Sequence, residues 1–360
     1  MTARSQSVPR PLYYTLTPAR CIALFAAGLA SACGDEPAGL RPTPQGDGPR
    51  VVFDLTASPL PEIPMPNDVA TRPDCASPTG KRLNVSLHAV TRAESRLRAK
   101  IDSLDGFGVF SPITVRFDDK EARAAGRPAI DLENVRDRLA GPPGGQPDHD
   151  FSNDPVLLVD VDPSSPEYGR AIPLDVGQGN FPLALEWPWQ YWDQDEHRDS
   201  SNLLFETHEE DVNHNGVLDP YEDYDFDGIL DHPNTWSGLD KGPLAADDLI
   251  TFYEKETDTM ILWPMVPLRQ MTRYAVVLTK YLTSTSGKPV RSPFPYVNHA
   301  DQTPDLLPLK DILPRYGFSL DDVVFAWSFT TQSITSELEQ VRAGLYGHGP
   351  LAALEQEYPP

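Results

Sequence analysis

Residues 211–231, DVNHNGVLDPYEDYDFDGILD, place side-chain oxygens at alternate positions around two glycines. A calcium loop requires oxygen ligands at positions one, three, five and nine, a glycine at six and a carbonyl at seven. It ends on a bidentate carboxylate at position twelve. Counting from position 211 fills every place. The predicted ligands of the first loop are Asp211, Asn213, Asn215, the Val217 carbonyl, Asp219 and Glu222, with Gly216 at the turn.

The same pattern starts again directly after Glu222, and the apolar eighth position of the first loop, Leu218, recurs as Leu230. The predicted ligands of the second loop are Asp223, Asp225, Asp227, the Ile229 carbonyl and Asp231, with Gly228 at the turn. Its twelfth residue is Asn234, a neutral amide that cannot chelate as a bidentate anion. We therefore predict a second loop that is weaker than the first or takes its last ligand from elsewhere.

No residue separates the two loops, so no helix can leave the first loop before the second begins. This spacing excludes a usual pair of helix-loop-helix EF-hands. The order DxNxNG followed by DxDxDG resembles instead the calcium loops of thrombospondin type-3 repeats. The resemblance implies that the bound ion is Ca²⁺.

Negative charge is concentrated in the same region. The chain of 360 residues has a formal charge of −23, and the segment 193–231 contains 14 acids and one base. A chain this acidic is not expected to bind nucleic acid, which requires clustered Lys and Arg. Four nearby histidines lack the i, i+4 or His-x-His spacing of a zinc site, so we interpret them as spacers. They are His197, His208, His214 and His232.

The N-terminus is typical of an export signal, because three arginines accompany an apolar stretch at 21–30 that is too short to span a bilayer. The following LASAC resembles a bacterial lipobox, which implies lipid on Cys33, although Leu29 stands one place further from the cysteine than usual. Cleavage of a plain secretory signal nearby is the alternative. We predict a lipoprotein signal peptide at 1–32, a Gly/Pro-rich tether at 33–50, and a bacterial lipoprotein of the outer membrane or cell surface.

From residue 51 onward, short apolar or alternating segments are separated by Pro, Gly and Asp, which indicates many short strands. Strands are predicted at 51–56, 83–88, 113–118, 156–162, 171–176, 249–256, 260–265, 274–282 and 323–331. Helices are predicted at 91–106, which opens with a capping-box spacing, and at 334–347. The first would pack one face, formed by Ala93, Leu97, Ile101 and Leu104. The predicted fold class is mostly β, a β-sandwich with few helices and an acidic calcium-loop insertion.

Four segments resemble, in this order, the Ig-like N-terminal region of bacterial extracellular lipases of the virulence-factor type. They are IPMPNDVA (63–70), IDSLDGFGVFSPITVRFD (101–118), PLRQMTRYAVVLT (267–279) and FAWSFTTQS (325–333). The resemblance implies an Ig-like β-domain at 51–345, with the acidic insertion at 186–240 and a tail or linker at 346–360. In that family an α/β-hydrolase domain follows the β-region and carries the catalysis.

A nucleophile elbow requires a G-x-S-x-G turn between a strand and a helix. The nearest match, residues 317–321 around Ser319, lacks the second glycine and leads into a predicted strand. We therefore predict no catalytic residue, and a noncatalytic, lipid-anchored, calcium-binding module at the cell surface. The first alternative is the front portion of a secreted lipase or esterase, whose hydrolase domain is covalently linked or separate.

An aromatic cluster in EWPWQYWDQD (186–195) supports a further alternative, an adhesion or glycan-binding module. Its members are Trp187, Trp189, Tyr191 and Trp192. If exposed, these rings could stack on sugars or lipid. Alternation would place the first three on one face of a strand, so we favour a small core for the insertion.

Overall fold

The computed structural model describes residues 38–58, 60–140, 151–176, 213, 215–221, 252–254 and 256–358. From Pro37 to Pro360 the chain forms one compact unit. Most described strands belong to two antiparallel sheets, as the predicted β character requires. Helical and extended residues occur in similar proportion, so the expectation of few helices is wrong.

The first sheet contains β1 (Arg50–Val51), β4 (Ile113–Asp118), β7 (Leu174–Asp175), β8 (Tyr253–Glu254) and β9 (Thr259–Pro264). Its order is β1–β4–β9–β7, and β8 also pairs with β9. Buried and half-buried residues alternate along β4 and β9. This alternation arises because one face of each strand covers the core.

The second sheet contains β5 (Val156–Asp160), β6 (Ala171–Ile172), β10 (Arg273–Thr279) and β11 (Val323–Thr330). Its order is β11–β10–β5–β6. A separate hairpin pairs β2 (Thr71–Pro73) with β3 (Lys81–Leu83). The predicted strand at 83–88 therefore overlaps an observed strand only at Leu83. The predicted strand at 171–176 is divided at Pro173, where the chain passes from the second sheet to the first.

Every residue of β5 and β11 is buried, because both faces of the second sheet are covered. On one face, its side chains share a hydrophobic cluster with those of the first sheet: Leu158, Val276 and Trp327 with Val115, Phe117 and Leu262. On the other face they share a second cluster with a helical segment: Leu157, Val159 and Val277 with Leu306, Leu309, Ile312 and Leu313. The two sheets and the helical segment thus form three layers.

Seven α-helices are described: α1 (Arg92–Ile101), α2 (Lys120–Ala124), α3 (Leu132–Ala140), α4 (Thr303–Leu306), α5 (Leu309–Ile312), α6 (Ser336–Leu345) and α7 (Leu354–Glu357). The N-terminus of α1 is capped as predicted, since the Glu94 amide donates to Thr91 Oγ1 over 3.1 Å. Helix α6 lies within the second predicted helix. The one-turn helices α4 and α5 are too short for an apolar period to predict them.

The predicted packing face of α1 is wrong. Leu97 is 58% exposed and Leu104 is 40% exposed, while only Ile101 packs against the main core. The side of the helix that points to the protein carries Ile101 together with polar residues, since the Arg98 side chain is only 11% exposed and pairs with Glu94. Helix α1 is therefore attached through charged side chains and presents apolar ones to solvent.

Residues 38–50 differ from the predicted tether, because they lie against the domain. The Leu40 amide donates to Asn298 Oδ1 over 2.8 Å, and the Thr43 amide donates to the Pro295 carbonyl over 2.8 Å. Gly48 permits the closest approach, since a Cβ atom at this position would lie 2.0 Å from the Pro289 carbonyl oxygen. We call residues 38–50 the strap.

Strands β7 and β8 pair with the same edge of β9, one after the other, and we call this position in the sheet the lane. Leu174 pairs with Pro264 and Asp175 with Trp263, and the lane resumes with Tyr253 opposite Met260. If β7 is extended by one residue at its C-terminal end and β8 by one residue at its N-terminal end, Val176 lies opposite Leu262 and Phe252 lies opposite Ile261. The Ile261 amide indeed donates to the Phe252 carbonyl over 2.7 Å. Residues 177–251 are therefore an insertion into a single edge strand.

Candidate metal centre

Both predicted calcium loops belong to the insertion between β7 and β8. Of the first loop, the structure describes Asn213 and residues 215–221. The described residues include loop positions three, five, six, seven and nine, which form the central part of the predicted ligand set.

Three predicted ligand side chains of the first loop lie together. Asn213 Nδ2 donates to Asp219 Oδ2 over 2.9 Å, and Asn215 Nδ2 donates to the same oxygen over 3.1 Å. The hydroxyl of Tyr221 lies 3.2 Å from Asn213 Nδ2. The carboxylate of loop position nine is thus held between the amides of positions three and five.

The turn of the loop has the backbone that the pattern predicts at position six. Gly216 has a φ of +72°, a left-handed value that favours glycine, and nothing lies within 4 Å of a Cβ built there. Backbone conformation, rather than lack of space, therefore accounts for the glycine. Before and after it, the Asn215 amide donates to Asn213 Oδ1 over 3.0 Å and the Val217 amide donates to Asn215 Oδ1 over 2.7 Å.

These residues fit a calcium ion in their chemistry. Calcium takes carboxylate, amide and carbonyl oxygens, and Asn213, Asn215 and Asp219 bring the first two kinds to one place. In the described conformation the two amide nitrogens face the Asp219 carboxylate, while both amide oxygens accept from backbone amides. The Val217 side chain is 59% exposed. The predicted ligand at this position is its backbone carbonyl, not its side chain.

The other predicted ligands lie outside the described residues: Asp211, Glu222, Asp223, Asp225, Asp227, Ile229 and Asp231. The same holds for Cys33, Asn234, the four histidines between 197 and 232, and the aromatic residues of 186–195. Their roles stay predictions.

The described residues contain no group of three or more His, Cys, Asp or Glu side chains that could hold a metal ion. Since the acids that would complete the first loop lie beyond those residues, this result concerns the remainder of the described structure. None of the described helices has the length and apolar character needed to cross a membrane.

Ser319, the centre of the nearest nucleophile-elbow match, has a structural role. It caps a short 3₁₀ turn, Leu320–Asp322, and its Oγ donates to Asp322 Oδ2 over 2.8 Å. Burial raises the pKa of Asp322, but hydrogen bonds from Lys280 and Ser319 outweigh this effect and lower it. The carboxylate therefore stays ionised and holds the serine hydroxyl as a capping group.

A buried polar cluster joins two of the segments that carry the family resemblance, which sequence reasoning did not anticipate. The Asp68 side chain is only 5% exposed and forms an ion pair with Lys81. Its carboxylate accepts from the Thr330 amide over 2.9 Å and from Thr330 Oγ1 over 2.8 Å. Next to it, Trp327 Nε1 donates to the Pro66 carbonyl over 2.8 Å. The segments 63–70 and 325–333 thus contact each other, and their shared polar residues serve the fold.

A cavity of about 280 Å³ lies between the strap and residues 288–291. Its two lysines already have acidic partners, because Lys288 Nζ lies 2.8 Å from Asp47 and Lys280 Nζ lies 2.7 Å from Asp322. The hydrogen bond that Lys288 donates to the Asp47 carboxylate raises the pKa of the lysine. The cavity is therefore a cleft closed by ion pairs, and we assign no ligand to it.

Neither a scan against protein-family models nor searches among curated proteins and solved structures gives a match to this chain.

Proposed function

We propose that the protein is an exported, lipid-anchored lipoprotein whose Ig-like β-sandwich bears an inserted calcium-binding module at the cell surface. The observation that carries the proposal is the convergence of Asn213, Asn215 and Asp219 around the left-handed Gly216. A solvated run of acids and amides would not predict both glycines and both apolar eighth positions of the tandem pattern. Calcium would hold the loop by replacing repulsion among its acids with coordination.

The strand orders support the Ig-like part of the proposal. In an Ig-like sandwich one sheet has the order A–B–E–D and the other contains G–F–C. Taking β1, β4, β5, β6, β7, β9, β10 and β11 as A, B, C, C′, D, E, F and G reproduces both orders. The insertion then interrupts strand D.

A second feature of such sandwiches is a tyrosine near the start of strand F whose hydroxyl bonds to backbone a few residues upstream. Tyr274, the second residue of β10, is fully buried and accepts from the Arg269 amide over 3.0 Å. Desolvation raises the pKa of this tyrosine, so its hydroxyl stays protonated. This contact favours the same topology independently of the strand order.

Calcium is expected to raise the stability of the wild-type chain modestly. Extracellular calcium modules have dissociation constants of roughly 0.1–1 mM, so at about 1 mM free ion one site contributes about 0.4–1.4 kcal/mol. Glu222→Ala should remove most of the first loop's share, because it deletes the only bidentate carboxylate of that loop. Asn234→Ala is the matched control and should matter much less, since an amide supplies one neutral oxygen at most.

The measurement is a thermal melt of each variant in calcium and in chelator, with magnesium for comparison. A wild-type melting temperature that is indifferent to calcium would contradict the metal assignment. The same conclusion would follow if Glu222→Ala kept the full calcium response.

Lipid on Cys33 is expected to place the protein in the detergent phase of a phase-separation assay, and Cys33→Ala should move it to the aqueous phase. Because the Leu40 amide of the strap already donates to Asn298, only seven residue steps separate the cysteine from the docked strap, at most about 25 Å. The domain would then lie close to the membrane. Unchanged partitioning of Cys33→Ala would refute the anchor.

A further inference from the structure

The outward face of α1 combines cations with exposed apolar side chains. Arg92, Arg96 and Lys100 follow an i, i+4, i+8 spacing, so they form one ridge along the helix, and all three are exposed. None of them forms an ion pair with another described residue, whereas Arg98 on the inner face pairs with Glu94 at 2.6 Å. The ridge thus carries three uncompensated positive charges.

Apolar side chains lie beside this ridge. Leu97 is 58% exposed within the helix, Val90 is 95% exposed just before it, and Leu87 is 53% exposed a little earlier. The helix cannot rotate to bury them, because its inner face is fixed by polar contacts. Arg72 makes a double hydrogen bond to Asp102 at 2.6 and 2.8 Å, and Arg98 Nη1 donates to the Ser86 carbonyl over 3.1 Å.

Local charge opposes the charge of the whole chain. The protein has a formal charge of −23, yet this face presents only cations. Exposed charges more than about 10 Å apart are largely screened at physiological salt, so a surface that meets α1 responds to the cations nearest to it. A helix with apolar side chains next to Lys and Arg is the type that lies flat in the headgroup region of a membrane.

We propose that this face of α1, formed by Arg92, Arg96, Lys100, Leu97 and Val90, docks on an anionic lipid surface. The three cations would meet lipid phosphates, while Leu97 and Val90 would enter the boundary between headgroups and acyl chains. The contact is noncovalent and separate from any lipid on Cys33. It would fix which side of the domain faces the membrane.

The test uses the chain from Gly34 onward, which keeps every described residue and lacks both the leader and Cys33. Because Pro37–Pro360 is one compact unit, this chain should fold, and a cooperative melt is checked first. Binding is measured by co-sedimentation with phosphatidylcholine vesicles, with and without about 30% phosphatidylglycerol. Each basic residue near an anionic leaflet contributes roughly a fivefold gain in partitioning.

The triple variant Arg92→Gln/Arg96→Gln/Lys100→Gln should therefore lose about a hundredfold in partitioning onto the anionic vesicles. Leu97→Ser should lose roughly fivefold at unchanged charge. The matched control changes three exposed cations elsewhere that form no ion pair with another described residue, Lys120→Gln/Lys310→Gln/Arg342→Gln. It should lose less than about threefold, because it alters only the net charge.

Equal losses in the two triple variants would overturn the proposal, since net charge would then explain the binding. It would also be overturned if the wild type bound neutral and anionic vesicles alike, or bound neither. Self-association that depends on Leu97 without vesicle binding would identify a second copy of the chain as the occupant instead. None of these outcomes bears on Cys33, which the tested chain lacks.

Discussion

Asp68→Ala should lower the free energy of unfolding by about 3–5 kcal/mol, the usual cost of removing one partner from a buried ion pair. The Asp68 carboxylate is 5% exposed and pairs with Lys81, whose side chain is 22% exposed. The variant would leave the Lys81 ammonium without its acid and the Thr330 amide without its acceptor. Lys81 would keep its hydrogen bond to Thr330 Oγ1, but a neutral hydroxyl does not balance the charge of the ammonium.

Asp68→Asn separates the two contributions. The amide oxygen can still accept from the Thr330 backbone amide, while the charge that balances Lys81 is lost. We expect a smaller cost of about 1–3 kcal/mol, the range for a buried polar group that loses its partner.

Asp321→Ala is the matched control. Asp321 also forms an ion pair, with Arg41 at 2.7 Å, but its side chain is 92% exposed. Exposed pairs contribute about 0–1 kcal/mol, because water solvates both ions once they separate. The measurement is urea unfolding of the three variants and the wild type at one fixed calcium concentration. Similar losses for Asp68→Ala and Asp321→Ala would show that burial does not determine the cost.

Sequence reasoning performs well where a local signal decides the structure. The strand at 113–118 matches β4 at both ends, and the Thr91 cap starts α1 where predicted. The left-handed Gly216 likewise follows from the spacing of the calcium loop alone. In each case the determining contacts lie within a few residues, so the sequence contains the whole signal.

It fails where a distant partner decides the structure. An apolar period shows that Leu97 and Ile101 lie on similar sides of α1, but it does not show which side the domain covers. That choice depends on the contact between Arg72 and Asp102, which are 30 residues apart. The tether prediction for residues 38–50 is wrong for the same reason. A Gly/Pro-rich composition is typical of a tether, but Gly48 lets the chain lie against Pro289, which is distant in sequence.

The candidate site shows the same division. The spacing of the acids and amides predicts that Asn213, Asn215 and Asp219 share one site, and their side chains do lie together, while their role as metal ligands stays a prediction. The polar cluster around Asp68 was not predicted, because its acceptor and donor are 262 residues apart. The segments 63–70 and 325–333 can be recognised in the sequence, but the contact between them forms only in the folded domain.

Excision of residues 177–251, with Val176 joined directly to Phe252, should leave a folded domain whose melting temperature no longer responds to calcium. The register explains why the join is possible: Asp175 pairs with Trp263 and Tyr253 pairs with Met260, which leaves two places in the lane for Val176 and Phe252. The shortened chain would therefore continue strand β7 into β8 without a shift.

The matched control removes one residue more, 177–252, and joins Val176 to Tyr253. One half of the lane must then slip by one place, which turns its side chains to the opposite face of the sheet. The slip would pull the Tyr253 hydroxyl away from Asp258 Oδ1, now 2.8 Å distant, and the chain would also lose Phe252, which is only 2% exposed. We expect a loss of about 3–5 kcal/mol, as for the deletion of a buried aromatic side chain.

Thermal melts of both deletions and the wild type, in calcium and in chelator, provide the comparison. If the 177–251 deletion fails to melt cooperatively while the wild type does, the insertion belongs to the core and the single-strand interpretation is wrong. A deleted chain that still gains stability from calcium would show that the ion binds outside the insertion. The expected result is a folded, shortened chain that is indifferent to calcium beside a responsive wild type. It would assign the calcium response to the inserted loops and the fold to the rest of the domain.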